Sequence, residues 1–432
     1  MTSLNETHDP SRRCVVDAAN DAQCDFPIQN LPFGIFSVGG GSPSAGVAIG
    51  DQIINLAILL EKGALTGDAE VAAQAACSGT TLNALMALGN APASALRARL
   101  VSLLDADSAS DFDITEALVP MKDAELHLPA SVGDFTDFLT SRHHFSRMRD
   151  NAPLALNFMS LPIAYHSRAS SIRLDGDIVR PRVQTVEDDV VSFAPTTKCD
   201  FELEVGAYIG RENQLGAPIA VDDADSHIFG FCLVNDWSLR DTQRFEGAPL
   251  GPFLSKSFST TISPWIVTEE AMRPFRTAME PRRTGEPAPL PHLASEVAQD
   301  SGALDITLEA TIQTAAMRAD NIPAERITLT NLKHLYWSFS QMVTHHTSNG
   351  CNLRPGDLLA SGTASGAADD SCACFAEMTV RGTKPITLSN GESRSFMEDG
   401  DSLTISGVAL REGCARVGFG SATGTLVANT EV

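Results

Sequence analysis

The chain has 432 residues, with 31 Lys+Arg against 54 Asp+Glu, a formal net charge of −23, and 43% hydrophobic residues. That length fits two domains, or three, at roughly 100–200 residues each, and the apolar fraction excludes a disordered chain. The negative charge argues against a nucleic-acid partner, whose phosphates need a cationic face, and against docking on anionic lipid.

Residues 1–24 read as a polar, loose lead-in without the apolar stretch of a secretory signal. Short β-like runs follow at Phe33-Gly-Ile-Phe-Ser-Val, Gly46-Val-Ala-Ile-Gly and Gln52-Ile-Ile-Asn-Leu, with Val38-Gly-Gly-Gly-Ser-Pro as a hairpin loop between the first two. That glycine run is no phosphate cradle, since a strand follows it and no Gly-Lys-Ser/Thr closes it. Residues 68–105 are rich in Ala and Leu at helical spacing. These pieces predict a small unit of strands and helices over residues 1–127.

From residue 128 onward the texture changes, and a second unit is expected over 128–432. Strand-like runs recur at Ile178 to Val183, Phe201 to Val205, Ile228 to Val234, Ile306 to Ile312, Leu403 to Val408 and Ala415 to Phe419. The pattern predicts a mainly antiparallel β domain with few helices, and a mainly β chain with some α. The Pro-rich stretch 273–297 reads as a surface excursion within it. No run approaches the ~20 apolar residues of a membrane helix. The nine cysteines are odd in number and scattered, which points to a reducing cytoplasm. Cys372-Ala-Cys374 could hold a soft metal, but no second Cys pair completes four ligands.

Candidate chemistry begins at Cys199-Asp-Phe-Glu-Leu-Glu-Val-Gly. On a strand, Glu202 and Glu204 share one face, about 7 Å apart, where they repel unless a positive centre lies between them. The doublet by itself reads either as a solvated acidic edge or as part of a metal site. A buried run then ends at Asn235-Asp236, and Trp237 to Gln243 continues as a helix. Asp236, Arg240 and Gln243, at i, i+4 and i+7, would share one helical face. Asp137 and His144, at i and i+7 in Gly133-Asp-Phe-Thr-Asp-Phe-Leu-Thr-Ser-Arg-His-His, would do the same. Asp137, Glu202, Glu204 and Asp236 would give four carboxylates, an oxygen set suited to Mg²⁺ or Ca²⁺ more than Zn²⁺. Spacing alone allows either His143 or His144 as a base. His345-His346 reads as a core or supporting pair, and Asp134 and Asp241 as structural. No Gly-x-Ser-x-Gly elbow, and no Cys near a candidate His, suggests a serine or cysteine hydrolase.

Together these segments closely resemble the fumarylacetoacetase family. The resemblance runs through Asp25-Phe-Pro-Ile-Gln-Asn-Leu-Pro-Phe-Gly, Asp134-Phe-Thr-Asp-Phe and Leu161-Pro-Ile-Ala-Tyr-His-Ser-Arg-Ala-Ser-Ser. It continues through Glu202-Leu-Glu, Asn235-Asp-Trp-Ser-Leu-Arg-Asp, Pro249-Leu-Gly-Pro-Phe-Leu-Ser-Lys-Ser-Phe and Thr344 to Thr363. It implies a small SH3-like N-terminal barrel, a large β-rich catalytic domain, a homodimer, and hydrolysis of a carbon–carbon bond in a small-molecule 1,3-diketo acid.

By the same resemblance, Asp137, Glu202, Glu204 and Asp236 would hold Ca²⁺ or Mg²⁺, with Lys256 and Thr260 near a second cation site. His144 would be the general base, oriented by Glu377. Arg240, Gln243 and Lys256 would surround the oxyanion. Thr363 would contact the substrate carboxylate, and Arg149 and Tyr165 would line the pocket, although Tyr165 could simply pack. Two pocket tyrosines of the family are replaced here, by Leu139 and Gly247. That change leaves three readings open: fumarylacetoacetate itself, another acylacetoacetate or acylpyruvate, and a decarboxylase, isomerase or non-catalytic relative.

Overall fold

The computed structural model describes residues 4–107, 112–187 and 189–429. Near the N-terminus five antiparallel strands form a half-barrel in the order Leu118–Pro120, Gln52–Asn55, Ser44–Ile49, Phe33–Val38, Ala124–His127. The expected hairpin closes through Gly39 and Gly40, at φ +59 and +74, which only glycine adopts freely. Helices Asp68–Ala76 and Asn90–Leu104 place Ala72, Ala73, Leu96, Leu100 and Leu104 into the same core as these strands. Residues 4–24 are not loose. The buried Arg97 guanidinium bonds to Thr7 Oγ1 (2.9 Å) and to the Gln29 and Asn30 carbonyls, and His8 Nε2 contacts the Glu270 carbonyl at 2.9 Å. A buried charge needs such partners, and this one ties the lead-in to the fold.

The larger part is built on an eight-stranded sheet. Its main path runs Ile163–Ser167, Phe135–Leu139, Leu358–Ala360, Leu203–Ile209, Ile228–Asp236, Thr260–Ile262, Ile172–Arg173. One face carries Phe135, Tyr208, Phe229, Cys232, Val234 and Leu358 into the core shared with the N-terminal helices. The other face carries Phe138, Leu203, Val205, Ala207, Phe231 and Leu233 into a second core. That core is closed by a five-stranded sheet with Glu325–Asn331, Thr307–Gln313, Ser402–Ala409, Val417–Val427 and Gly176–Val179 in order. Pairing is mainly antiparallel, as expected, with parallel exceptions such as Phe135–Leu139 beside Leu358–Ala360.

The run from Ile178 to Val183 is not one strand. It breaks at Arg180-Pro181, so that Gly176–Val179 joins the five-stranded sheet and Arg182–Glu187 forms a separate hairpin with Val190–Pro195. Proline donates no ladder hydrogen bond and constrains the residue before it. The Pro-rich stretch is only partly a surface excursion, because it buries Met279 and Leu293 and pairs Glu286 with Arg142.

Trp237 anchors the strand that ends at Asp236. Its ring is fully buried, packs on Gly424, and donates Nε1–H to Thr261 Oγ1 at 2.9 Å. Trp237→Ala should destabilise the protein by about 3–5 kcal/mol, read from urea denaturation.

Candidate active site

Three strands and the residue just before one of them deliver four carboxylates to one spot. Asp137 comes from Phe135–Leu139, Glu204 from Leu203–Ile209, Asp236 from the last position of Ile228–Asp236, and Glu202 from just before its strand. One oxygen from each lies within 4.8 Å of the others, and none of the four residues is more than 6% exposed. The solvated-edge reading of Glu202 and Glu204 is therefore overturned. The helical-face readings are also corrected. Asp236 ends a strand and the helix Arg240–Glu246 begins four residues later; Asp137 lies on a strand and His144 on the helix Arg142–Arg147. The spacings were compatible with a helix, but the ladder to Leu358–Ala360 makes residues 135–139 a strand, with Phe135 and Phe138 entering cores on its opposite faces.

Two cations face the carboxylates. Lys256 Nζ lies 2.6 Å from Glu202 Oε2 and 2.7 Å from Asp236 Oδ2, and Arg240 Nη1 lies 2.7 Å from Glu202 Oε1. Thr260 Oγ1 donates to Asp236 Oδ1 at 3.2 Å. Lys256 and Thr260 thus both meet the carboxylate cluster itself. Burial and the Asp236 carboxylate push Asp137 well above the ordinary carboxylate range, and burial, Asp137 and Glu202 do the same to Glu204. Glu202 goes the other way: against burial, Lys256, Arg240 and His144 hold it low.

The carboxylates outnumber their cations, and the hydrogen bonds reveal the deficit. Tyr165 does not simply pack. Its hydroxyl lies 2.6 Å from both Asp137 Oδ2 and Asp236 Oδ2, and one phenolic proton cannot serve two carboxylates. Asp137 Oδ1 and Glu204 Oε1 are buried without a hydrogen-bond partner among the described residues. Unpaired buried carboxylate oxygens are costly, and an all-oxygen donor set with spare lone pairs fits a hard divalent cation.

A base stands beside the cluster. The helix Arg142–Arg147 is capped by Ser141, whose Oγ accepts from the His144 N–H at 3.2 Å. His144 Nδ1 lies 2.6 Å from Glu377 Oε1. A carboxylate only accepts, so Nδ1 carries the proton and Nε2 is left as the proton acceptor. Burial alone would raise Glu377, but His144, Ser365 and Arg147 hold it below its usual range. Ser365 Oγ donates to Oε1 at 2.5 Å and Arg147 Nη1 to Oε2 at 3.3 Å. His143, the other candidate on spacing, is driven down to about 4 by burial and by Arg147.

The two halves are joined by Asp200. Arg240 Nε donates to Asp200 Oδ2 at 2.8 Å, while the Phe375 and Ala376 N–H groups donate to Asp200 at 2.7 and 2.9 Å. One carboxylate thereby positions Arg240 and the start of the segment that carries Glu377. Asp200 was not among the expected residues, yet strand alternation puts it in phase with Glu202 and Glu204. Ser365 and Arg147 were also missed, each a few residues from one that was found.

Among the remaining candidates, Gln243 Oε1 accepts from Arg240 Nη1 at 2.9 Å. Arg240 Nη2 and Thr363 Oγ1 are buried with no hydrogen-bond partner among the described residues, so both can meet a ligand. Leu139 packs beside an aromatic cluster of Phe145, Phe158, Tyr336 and Trp337. Gly247 ends the helix Arg240–Glu246. Arg149 is exposed and stacks on Phe145 at 5.0 Å, while Arg147 reaches Glu377. Asp134 and Asp241 hold Arg354 and Thr196, as expected of structural residues, and His346 Nε2 meets Thr136 Oγ1 at 2.9 Å.

The fumarylacetoacetate hydrolase C-terminal family model matches residues 134–427, and the fumarylacetoacetase N-terminal model matches 29–129. The chain belongs to the fumarylacetoacetate hydrolase family. It is 42% identical to the fumarylacetoacetase of Homo sapiens, over 93% of this chain and 96% of that one. It is 44% identical to that of Caenorhabditis elegans, over the same shares of the two chains. Among solved structures, the fumarylacetoacetate hydrolase from psychrophilic Exiguobacterium antarcticum shares the fold at TM-score 0.52 and 16% identity, covering 92% of this chain and all of that one.

In this member of the family, Glu377→Gln should keep the fold but lower kcat about 10²-fold or more, because an amide can stabilise the wrong histidine tautomer. Steady-state kinetics beside an unchanged circular dichroism spectrum would check it.

Proposed function

We propose that this chain hydrolyses the carbon–carbon bond of fumarylacetoacetate, releasing fumarate and acetoacetate. The observation that carries the reading is the convergence, in one buried spot, of a carboxylate-oriented histidine, four carboxylates, and the unpartnered atoms Asp137 Oδ1, Glu204 Oε1, Arg240 Nη2 and Thr363 Oγ1. Curated relatives over nearly the whole chain carry the name fumarylacetoacetase.

His144 Nε2 takes the proton of the attacking water, and Glu377 stabilises the imidazolium that forms. Arg240, with Lys256 and Gln243 beside it, faces the negative charge that develops on the attacked carbonyl oxygen. Thr363 Oγ1 donates to a substrate carboxylate. A Mg²⁺ or Ca²⁺ ion held by Asp137, Glu202, Glu204 and Asp236 would polarise the diketone oxygens and stabilise the departing enolate. Loss of the diketone absorbance on adding protein to fumarylacetoacetate tests the reading. Loss abolished by EDTA and restored by either ion supports it, and no turnover with the ion bound sinks it.

One observation favours a second acyl group. Leu139 presents an apolar wall backed by Phe145 and Phe158 where the resemblance expects a hydrogen-bonding tyrosine. A higher kcat/KM for an acylpyruvate than for fumarylacetoacetate would decide for it.

A homodimer is proposed from exposed apolar surface. The hairpin Arg182–Glu187 and Val190–Pro195 exposes Val190 and Phe193 at 65% and 60%, and the segment after the helix Arg240–Glu246 exposes Leu250 at 95% and Phe253 at 69%. Sedimentation equilibrium at twice the chain mass of 45.9 kDa supports it, and a monomer at all concentrations refutes it. None of the described helices is long and apolar enough to cross a membrane. A cytoplasmic setting suits nine cysteines that are all free thiols.

A further inference from the structure

The expectation of no cysteine near a candidate histidine fails at one place. Cys374 Sγ lies 4.0 Å from His144 Nδ1 and 3.4 Å from Glu377 Oε1. With His144 Nδ1 and Glu377 Oε1 themselves 2.6 Å apart, three ligand types meet in a buried triangle. Cys372 is not part of it, so the Cys-Ala-Cys spacing is not what makes the group.

We propose that a zinc-class divalent cation binds at His144, Cys374 and Glu377 and inhibits the enzyme by capturing the atom that orients its base. Tetrahedral zinc, with bonds of about 2.0–2.3 Å to N, O and S, sets its ligand atoms roughly 3.3–3.6 Å apart. The observed spacings bracket that range, and small side-chain rotations bring all three into it. The donor set also separates this site from the carboxylate cluster. Nitrogen and sulfur select a softer ion, whereas four carboxylates select Mg²⁺ or Ca²⁺.

The proton and charge balance is simple. Binding displaces one proton from the Cys374 thiol and the Nδ1 proton of His144 to solvent, the latter recovered at Nε2 as the ring changes tautomer. Thiolate and Glu377 carboxylate then neutralise the ion's two charges, so a nearly neutral unit replaces a thiol beside a buried carboxylate. Burial that opposes a bare thiolate does not oppose this unit. The other groups facing it tolerate the ion. Arg147 holds Glu377 by the opposite oxygen, Oε2, and Ser365 Oγ occupies one of the two lone-pair positions on Oε1. Arg240 reaches toward Asp200 and Glu202 and balances their charge. With Nδ1 on the ion and the proton moved to Nε2, His144 can no longer accept a proton from water. The inhibitory half of the proposal rests on the hydrolase reading; the binding half does not.

The full chain saturated with Mg²⁺ is titrated with Co²⁺ and, separately, with Zn²⁺. The near-ultraviolet thiolate-to-cobalt band should appear in the wild-type protein and be lost in both Cys374→Ser and Cys374→Ala. Half-inhibition by Zn²⁺ in excess Mg²⁺ should need at least about tenfold more ion in Cys374→Ser than in wild type, the order of effect of losing one supporting group at a metal site. A cobalt band of equal strength in both variants, or no band at all, overturns the site, and equal Zn²⁺ sensitivity overturns the inhibition. A Cys374-dependent band in a protein that hydrolyses no diketo acid upholds the site and counts against the hydrolase reading alone.

Discussion

His144→Ala should lower kcat by about 10²–10⁴-fold, a loss of roughly 2.7–5.5 kcal/mol of transition-state stabilisation, with little change in divalent-ion affinity. The size follows from the role. His144 is set apart by its carboxylate partner: burial and Arg147 drive His143 down to about 4 and keep its ring neutral too, but it is His144 whose Nδ1 is held by Glu377. The fold should tolerate the change, because Glu377 keeps Ser365 on one oxygen and Arg147 on the other. Steady-state kinetics and calorimetric Mg²⁺ titration on one preparation would test both halves. A variant within threefold of wild type in kcat would remove His144 from the chemistry.

Asp236→Asn should abolish turnover by a different route. Asp236 is where the cluster's contacts concentrate: Tyr165, Lys256 and Thr260 all meet its carboxylate. Even partners one shell out from a metal typically contribute 10–100-fold to its affinity, so loss of a ligand should weaken Mg²⁺ or Ca²⁺ binding by about 10²-fold or more. Stability separates this prediction from simple damage. An ion at 100 times its Kd stabilises the folded chain by about 2.7 kcal/mol. Wild-type protein should therefore melt higher on adding the ion, and the variant should not. Without the ion, the variant should melt no lower than wild type, because one carboxylate has left a site where carboxylates outnumber cations. A variant that still gains stability from the ion would remove Asp236 from the ligand set.

Both predictions concern residues that were legible in the sequence, though by unequal means. Strand alternation put Glu202 and Glu204 on one face without any relative, and the same alternation would have added Asp200. Periodicity misled at Asp137 and Asp236. Seven-residue spacing fits a helix face, but both residues lie on strands whose pairing comes from segments far away in the chain, Leu358–Ala360 for one and Thr260–Ile262 for the other. Local pattern cannot see a partner strand. The resemblance named His144 and Glu377, which the structure brings into contact, and it did not name Arg147, which reaches the same carboxylate.

The sequence by itself determined the two-part organisation of short strands and Ala-rich helices followed by a β-rich region, the oxygen-rich character of the site, and the identity of its carboxylates. Alternation, turn residues and side-chain chemistry are local properties, and they survive without coordinates. Only the tertiary structure decided which charges meet. Asp200 bridges Arg240 to the segment bearing Glu377, Tyr165 is caught between two aspartates, and Cys374 is brought beside a histidine 230 positions earlier in the chain. These contacts arise where strands distant in sequence end together, and burial there turns weak surface charges into strong, partner-dependent ones.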